Sequence, residues 1–261
     1  MMVAKLVCTI FIRTCLWVLL VPSLTPAMET MESDITCLRS LKSQLKDPHA
    51  YLSNWVFGNY SDGYICSFFG VHCWRSNYNK VISINLGGSG LEGEFTSDVK
   101  LCSLIESLNL TGNNLSGTLP SDIFSSLPYL VTLDLSNNNL AGKIPSSFSN
   151  MSYLNTLLLD HNRFTGRIPS ELASSPRLKQ FSVTHNDLKG LIPEFTNGKI
   201  SLSSFEGNPD LCGFPLDPCS DSFYSMAIIA ANIAAAAFFP VGVCYGWLYD
   251  SHKQRQRPRR R

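Results

Sequence analysis

Residues 81–193 contain one pattern of aliphatic, asparagine, glycine and proline residues five times in succession. Its third aliphatic position recurs every 24 or 25 residues. A period of this length predicts a solenoid, because a single repeat cannot bury its apolar face alone and must stack on its neighbours. The third aliphatic residues are Leu86, Leu110, Leu135, Leu159 and Val183, and the segments read VISINLGGSGLEGEF, IESLNLTGNNLSGTLP, LVTLDLSNNNLAGKIP, LNTLLLDHNRFTGRIP and LKQFSVTHNDLKGLIP.

The consensus LxxLxLxxNxLxGxIP gives each position a structural role. Alternating aliphatic residues predict a short strand with one side in the core, and the residues between them point outward. The asparagine can satisfy backbone groups at the next turn, while glycine and proline suit a tight bend. The sequence therefore predicts an α/β leucine-rich repeat solenoid of five plant-type repeats, with its parallel strands on the concave side. The turn asparagines are Asn113, Asn138, Asn162 and Asn186, with Ser89 in the first repeat.

Two apolar segments lie outside the repeats. Residues 1–27 combine Lys5, an apolar run and a small-residue end, which predicts a secretory signal peptide; an N-terminal membrane anchor is the alternative. Residues 226–249 hold no charged residue and are long enough to cross a bilayer, and the basic residues of 250–261 place this tail in the cytoplasm. We therefore expect a single-pass type I protein of the plasma membrane with its N-terminus outside; a buried core helix is the alternative for 226–249.

The predicted span contains Gly242 and Gly246 in a GxxxG pattern. Glycines at this spacing let two helices approach closely, so lateral helix association is possible. Flexibility near Pro240 is the alternative explanation.

The net charge of +1 is an average over unlike parts of the chain. Residues 28–225 hold 13 Lys and Arg against 19 Asp and Glu, whereas 250–261 hold six Lys and Arg and one Asp. Basic charge confined to a tail beside an apolar span argues against nucleic-acid binding. Gly88, Gly90 and Gly93 have the spacing of a phosphate-binding loop, but the repeat frame already explains them. Since no catalytic set or metal-ligand spacing occurs, we expect no enzyme activity, no cofactor and no metal.

Six cysteines lie between the two apolar segments, and an even number in a secreted segment predicts disulfide bonds. Cys66 with Cys73 and Cys212 with Cys219 are the local pairs on either side of the repeats. Cys37 and Cys102 then remain by subtraction, with two free buried thiols as the alternative.

Cysteines and aromatic residues predict a cap at each end of the array. In the N-terminal cap, 28–80, Asp34 is a candidate N-cap of a helix, and aromatic residues near Cys66 are expected to cover the first coil. The repeats are assigned to 81–199, the C-terminal cap to 200–219 and a juxtamembrane linker to 220–225. The aromatic and apolar cap residues are Trp55, Phe68, Phe69 and Trp74 before the array, and Phe205, Leu211 and Phe214 after it.

The outward strand positions of coils three to five are the candidate partner-binding surface, because their side chains project in parallel rows. Val131 and Leu158 are candidates for an exposed apolar patch, and His161 and His185 should stack on neighbouring coils. Phe164 and Phe181 are expected in the core. The predicted surface residues are Val131, Asp134, Asn155, Leu158, Asp160, Lys179, Gln180, Ser182, His161 and His185.

Four Asn-x-Ser/Thr sequons are candidate glycosylation sites: Asn59, Asn109, Asn114 and Asn150. Asn109 occupies a concave strand position, so a glycan there would obstruct binding over coil two. This favours coils three to five for partner binding.

The sequence resembles the ectodomains of plant leucine-rich repeat receptor-like kinases. It is most similar to the BIR-type subgroup, whose members associate with SERK-type co-receptor kinases, over about residues 34–219. The family continues into an intracellular kinase-like domain, but no His-Arg-Asp or Asp-Phe-Gly motif occurs here, and the Ala-x-Lys at 141–143 belongs to the repeats. The stretches that carry the resemblance are DITCLRSLKSQLKDP, YLSNWVFGNYSDGYICSFFGVHCW, VKLCSLIESLNL, PYLVTLDLSNNNL and NPDLCGFPLDPC.

The resemblance implies a receptor-like protein without a kinase that binds a co-receptor ectodomain and modulates receptor signalling. Two alternatives stay open. The chain could inhibit secreted cell-wall-degrading enzymes, or it could be a truncated copy of a receptor kinase without a selected function.

Overall fold

The computed structural model describes residues 26–58, 62–122, 126–195 and 200–219, with side chains from residue 33 onward. The predicted signal peptide up to residue 25, the predicted span and the basic tail lie outside the described residues, as do Asn59, Gly242 and Gly246. Within the described part, no helix is both long and apolar enough to cross a membrane.

Twelve strands are present among the described residues, and six of them form the concave sheet in the order β1-β2-β4-β6-β8-β10. The pair β1–β2 is antiparallel and every later pair is parallel, which is the side-by-side ladder that the repeat predicts. The strands are β1 Val71–Arg75, β2 Tyr78–Asn85, β3 Glu92–Glu94, β4 Ser107–Asn109, β5 Asn114–Ser116, β6 Thr132–Asp134, β7 Ala141–Lys143, β8 Thr156–Leu158, β9 Arg163–Gly166, β10 Gln180–Ser182, β11 Asp187–Leu191 and β12 Asp210–Cys212.

A second set of short strands follows the turn of each coil. Strands β12, β11, β9 and β7 form one sheet in that order, and β3 pairs with β5. Gly142, Gly166 and Gly190 in these strands have φ between 81° and 86°, a conformation that favours glycine. Short helices complete the coils: the 3-10 helices Tyr64–Ser67, Ser97–Leu101, Ser146–Asn150 and Leu202–Ser204, and the α-helix Ser170–Ala173.

The core is a line of equivalent residues from successive coils. Leu108, Leu133 and Leu157 are partners in adjacent strands and are fully buried. Phe181 continues this line at 3% exposure, and Phe164 is also buried, as predicted. Each coil therefore supplies part of one continuous core.

The turn asparagines form a ladder of identical hydrogen bonds. The Asn162 amide donates to the carbonyls of Leu135, Leu159 and Asp160, and its Oδ1 accepts from the Leu140 N–H. Asn208 repeats this arrangement, so the C-terminal cap begins with a sixth turn that the sequence analysis did not assign to the repeats. The other members are Asn113, Asn138 and Asn186.

The N-terminal cap is built on helix α1, Pro26–Gln44, which lies across the start of β2. The helix begins eight residues before Asp34, so the prediction that Asp34 caps it is wrong. Instead, Asp34 lies near the middle of the helix and its side chain is buried. Its carboxylate accepts a hydrogen bond from the Val81 N–H, 3.0 Å away. Burial raises the pKa of Asp34 to about 6.

Disulfide bonds hold both ends of the described structure. Cys37 is bonded to Cys102, which ties α1 to the first coil, and Cys66 is bonded to Cys73. Cys212 and Cys219 are also disulfide-bonded.

The caps cover the core with fewer aromatic residues than expected. Trp55, Phe68 and Phe205 are buried and pack into the core. Trp74, by contrast, is 66% exposed and Phe214 is 90% exposed, so the prediction that they cover the ends is wrong. Phe69 is also partly exposed, whereas Leu211 is buried as expected.

Candidate interaction surface

The floor of the concave face is mostly polar and contains one carboxylate. Two rows of outward side chains run across the strands. Their members on β2, β4 and β6, together with His72 and Leu158, border a shallow cavity of about 410 Å³. Asp134 lies in this floor, where its carboxylate accepts from the N–H and the hydroxyl of Ser136. The first row is Ser83, Ser107, Thr132, Thr156 and Gln180, and the second is Asn85, Asn109, Asp134, Leu158 and Ser182.

Most predicted surface residues are at least partly exposed, but they fall into separate rows. Val131, Asn155 and Lys179 follow one another on successive coils, since the N–H of each later residue donates to the carbonyl before it. Leu158 lies in the floor row opposite Asp134 instead. Val131 and Leu158 therefore stand in different rows and do not form the joint apolar patch that the sequence suggested.

His161 and His185 stack at the edge of the concave face, as the repeat frame predicts. Their ring centroids are 4.4 Å apart and the ring planes differ by 16°. Both residues have φ of 52°, and His161 Nδ1 lies 3.2 Å from the Asp160 carboxylate. The stack is thus fixed by the turn and sits beside the floor.

One row of functional candidates was missed by the sequence analysis. Tyr129 and Tyr153 are 48% and 44% exposed, and their ring centroids are 6.2 Å apart. The Arg177 guanidinium lies 4.8 Å from the centroid of the Tyr153 ring. These residues recur every 24 positions, two residues before Val131, Asn155 and Lys179, so the repeat frame contained the signal.

Together these two rows make one surface on the edge of coils three to five, which we call the docking surface. It combines two exposed tyrosines, an exposed valine and two cations, and tyrosine and arginine are enriched at protein interfaces. Its members are Tyr129, Val131, Tyr153, Asn155, Arg177 and Lys179.

Three of the predicted glycosylation sites lie in the described structure, on different faces. Asn109 is in the concave floor, and its Oδ1 accepts from the Thr111 N–H. Asn114 begins β5, where it accepts a hydrogen bond from Asn139. Asn150 is exposed at the end of a 3-10 helix.

No chemistry-bearing cluster occurs in the part of the chain that the structure describes. No group of three His, Cys, Asp or Glu side chains there could hold a metal ion. Gly88, Gly90 and Gly93 all have positive φ; the first two precede β3 and Gly93 lies within it.

Two family models match the chain, and both describe this architecture. Residues 31–74 match the leucine rich repeat N-terminal domain, and residues 103–164 match the leucine rich repeat.

Similar proteins come from Arabidopsis thaliana. A probably inactive leucine-rich repeat receptor-like protein kinase is 49% identical over 133 residues, which are 51% of this chain and 21% of that protein. The inactive receptor-like kinase BIR2 is 40% identical over 105 residues, 40% of this chain and 17% of that protein. The chain thus spans about a fifth of the length of the curated relatives it matches.

Two solved structures resemble the described part of the chain closely. The crystal structure of the BIR2 ectodomain is 43% identical with a TM-score of 0.69, covering 70% of this chain and 96% of that chain. A chain in the crystal structure of the BIR3–SERK2 complex is 45% identical with a TM-score of 0.68, covering 72% of this chain and 99% of that chain.

Proposed function

Since the chain belongs to the plant leucine-rich repeat receptor-like kinase family, with a BIR-type ectodomain, we propose that it binds the ectodomain of a SERK-type co-receptor kinase. The docking surface carries this proposal. It places two exposed tyrosines and an arginine in line on one rigid edge, where a partner can bury all three.

The physical argument rests on how binding energy is distributed in interfaces. A few buried tyrosine, tryptophan and arginine side chains supply most of the affinity, and polar neighbours exclude water around them. Arg177 is already oriented over the Tyr153 ring, so both side chains lose little conformational freedom on binding. Asn155 and Lys179 supply the polar rim.

The concave floor is the less suitable surface for a protein partner. Its outward side chains are hydroxyls and amides with one carboxylate, Asp134, and one leucine, and Asn109 within it belongs to a sequon. A glycan on Asn109 would fill this floor and leave the docking surface free. The geometry thus favours lateral docking.

Membrane attachment and signalling complete the proposal. The uncharged segment 226–249 and the basic tail favour a single-pass plasma-membrane protein. A membrane-anchored ectodomain that holds a co-receptor laterally would compete with ligand-binding receptors for it, and so modulate their signalling.

Isothermal titration calorimetry tests the proposal directly. The BIR2 relative was crystallised as an ectodomain, so residues 28–224 are expected to fold alone. We expect Tyr153→Ala and Arg177→Gln each to weaken binding to a SERK-type ectodomain about tenfold or more. Tyr51→Ala, which removes an equally exposed tyrosine from the N-terminal cap, should change the Kd less than about twofold.

Two results would reject the proposal. One is the absence of binding at about tens of micromolar, a concentration at which weak ectodomain contacts are still detected. The other is unchanged affinity in both docking-surface variants, which would move the interface elsewhere on the molecule.

A further inference from the structure

The outer face of the second sheet carries four exposed cations that the docking surface does not include. Lys143 ends β7, Arg163 begins β9, Arg167 follows β9 and Lys189 lies in β11. All four are exposed, whereas the alternating positions Phe164 and Leu188 are buried. The four cations therefore share the outward side of the sheet, and we call them the basic strip.

Glycines of the repeat leave room for the aliphatic parts of two of these cationic side chains to pack against the next coil. A Cβ atom on Gly166 would lie 3.3 Å from Lys143 Cγ, and one on Gly190 would lie 3.3 Å from Arg167 Nε. The Lys143 and Arg167 side chains thus each pass close to the glycine of the following coil. Lys143 and Arg167 hold the same position on successive coils, 24 residues apart, so these two cations follow one another along the stack.

The charged ends of the strip have no partner among the described residues. None of the four forms an ion pair or a side-chain hydrogen bond with another residue in that part of the chain. Two carboxylates share the sheet, Asp187 and Asp210, and Asp210 is the strand partner of Lys189. Neither carboxylate lies within 4.0 Å of a cationic nitrogen of the described residues, so four cations face two carboxylates on this side of the sheet.

Besides the charged residues, this face carries two small side chains and one exposed leucine. Ala141 and Thr165 are its other outward side chains on β7 and β9, and Leu191 lies at its C-terminal end. The strip has no aromatic ring of the kind that anchors a folded protein partner. It suits a ligand that is extended and regularly charged.

We propose that the basic strip binds a linear acidic polysaccharide, with sugar carboxylates paired to Lys143 and Arg167 on successive coils and to the neighbouring Arg163 and Lys189. Arginine and lysine both form charge-assisted hydrogen bonds with carboxylates, and arginine can do so through two parallel bonds. Such binding is weak at each site, grows with ligand length and falls with added salt. It uses a different face from the co-receptor, so both ligands can be held together.

Binding of polygalacturonate oligosaccharides to the 28–224 ectodomain tests the inference by biolayer interferometry. We expect Lys143→Gln with Arg167→Gln to weaken binding about fivefold, and Asp187→Asn to strengthen it about twofold. The control pair, Arg177→Gln with Lys179→Gln, removes the same charge from the docking surface and should change the affinity less than about twofold. Fully methyl-esterified polygalacturonate should not bind.

Equal loss of polygalacturonate affinity in the strip and control variants, or no loss in the strip variant, would overturn the inference. So would tighter binding of a polyglutamate peptide, or of anionic vesicles, at matched charge. Co-receptor binding is measured with the same variants. The strip variant should keep its co-receptor affinity and its melting temperature, so failure of this inference is distinguishable from failure of the proposed function.

Discussion

Single asparagine residues hold the coils of this solenoid together. Each turn asparagine bridges its own coil to the previous one, because its amide reaches carbonyls in both. Buried backbone groups without such a partner would cost free energy, and no other side chain has the length and paired donor–acceptor groups to replace it in this turn. In the first coil, Ser89 occupies this position and its buried hydroxyl has no hydrogen-bond partner.

Substitution of a ladder residue tests this role. Asn162→Ala is expected to lower the free energy of unfolding by about 1–3 kcal/mol, because it leaves the Leu140 N–H and nearby carbonyls unpaired in the interior. Urea unfolding of the ectodomain measures the change. Asn155→Ala, at a partly exposed position, should cost less than about 0.5 kcal/mol, and an equal loss in both variants would contradict the assigned role.

Asp34 makes the stability depend on pH. Burial raises its pKa from 3.8 to about 6, although the Val81 N–H and the charge of Lys80 oppose the rise. Since the folded-state pKa exceeds the unfolded value, the stabilisation from protonation is complete below about pH 4. It is lost as the pH rises through 6.

Asp34→Asn should remove this dependence while keeping an oxygen that accepts from the Val81 N–H. The variant is expected to be more stable than the wild type by roughly 1–3 kcal/mol at about pH 8, and the difference should vanish near pH 4. Denaturant titrations at both pH values measure it. An equal difference in the free energy of unfolding at both pH values would contradict this role of Asp34. The matched control is Asp122→Asn, at a side chain that is 71% exposed.

Among the elements, the N-terminal helix α1 is held to the first coil by a long-range disulfide bond. The Cys37–Cys102 bond joins α1 to the 3-10 helix of the first coil across 65 residues, whereas Cys66–Cys73 spans 7. A longer closed loop restricts the unfolded chain more strongly.

Replacing each disulfide by an alanine pair should show this difference. We expect Cys37→Ala with Cys102→Ala to cost about 4 kcal/mol, and Cys66→Ala with Cys73→Ala to cost about 2 kcal/mol. Thermal unfolding of the two variants gives the comparison. A larger loss from the short loop would mean that native packing, not chain entropy, sets the effect.

The repeat elements could be predicted from the sequence, but the helix boundary and the cap surfaces could not. The 24-residue period determines which leucines face the core, because every coil places them identically. The position of Asp34 depends on Val81, 47 residues away in the sequence, and local capping rules do not contain that contact. Trp74 and Phe214 were misplaced because apolar character alone does not decide exposure at the ends of an array.

At the scale of the whole molecule, the same period that builds the core also builds the surfaces. Tyr153 and Arg177 are neighbours because they are 24 residues apart, and so are Lys143 and Arg167. The candidate surface on coils three to five could be predicted in outline from this frame. The exposure of Tyr129 and Tyr153 was not predicted, because they lie before the strands at positions that the repeat consensus does not include.

Hydrogen–deuterium exchange of the 28–224 ectodomain, with and without a SERK-type ectodomain, tests the central claim most directly. We predict slower exchange on binding in the segments that approach and enter β6, β8 and β10, residues 127–134, 151–158 and 175–182. Exchange around β1 and β2 should not change. Protection confined to the N-terminal cap and coil two, with none at Tyr153 or Arg177, would contradict the proposal that the partner docks on the edge of coils three to five.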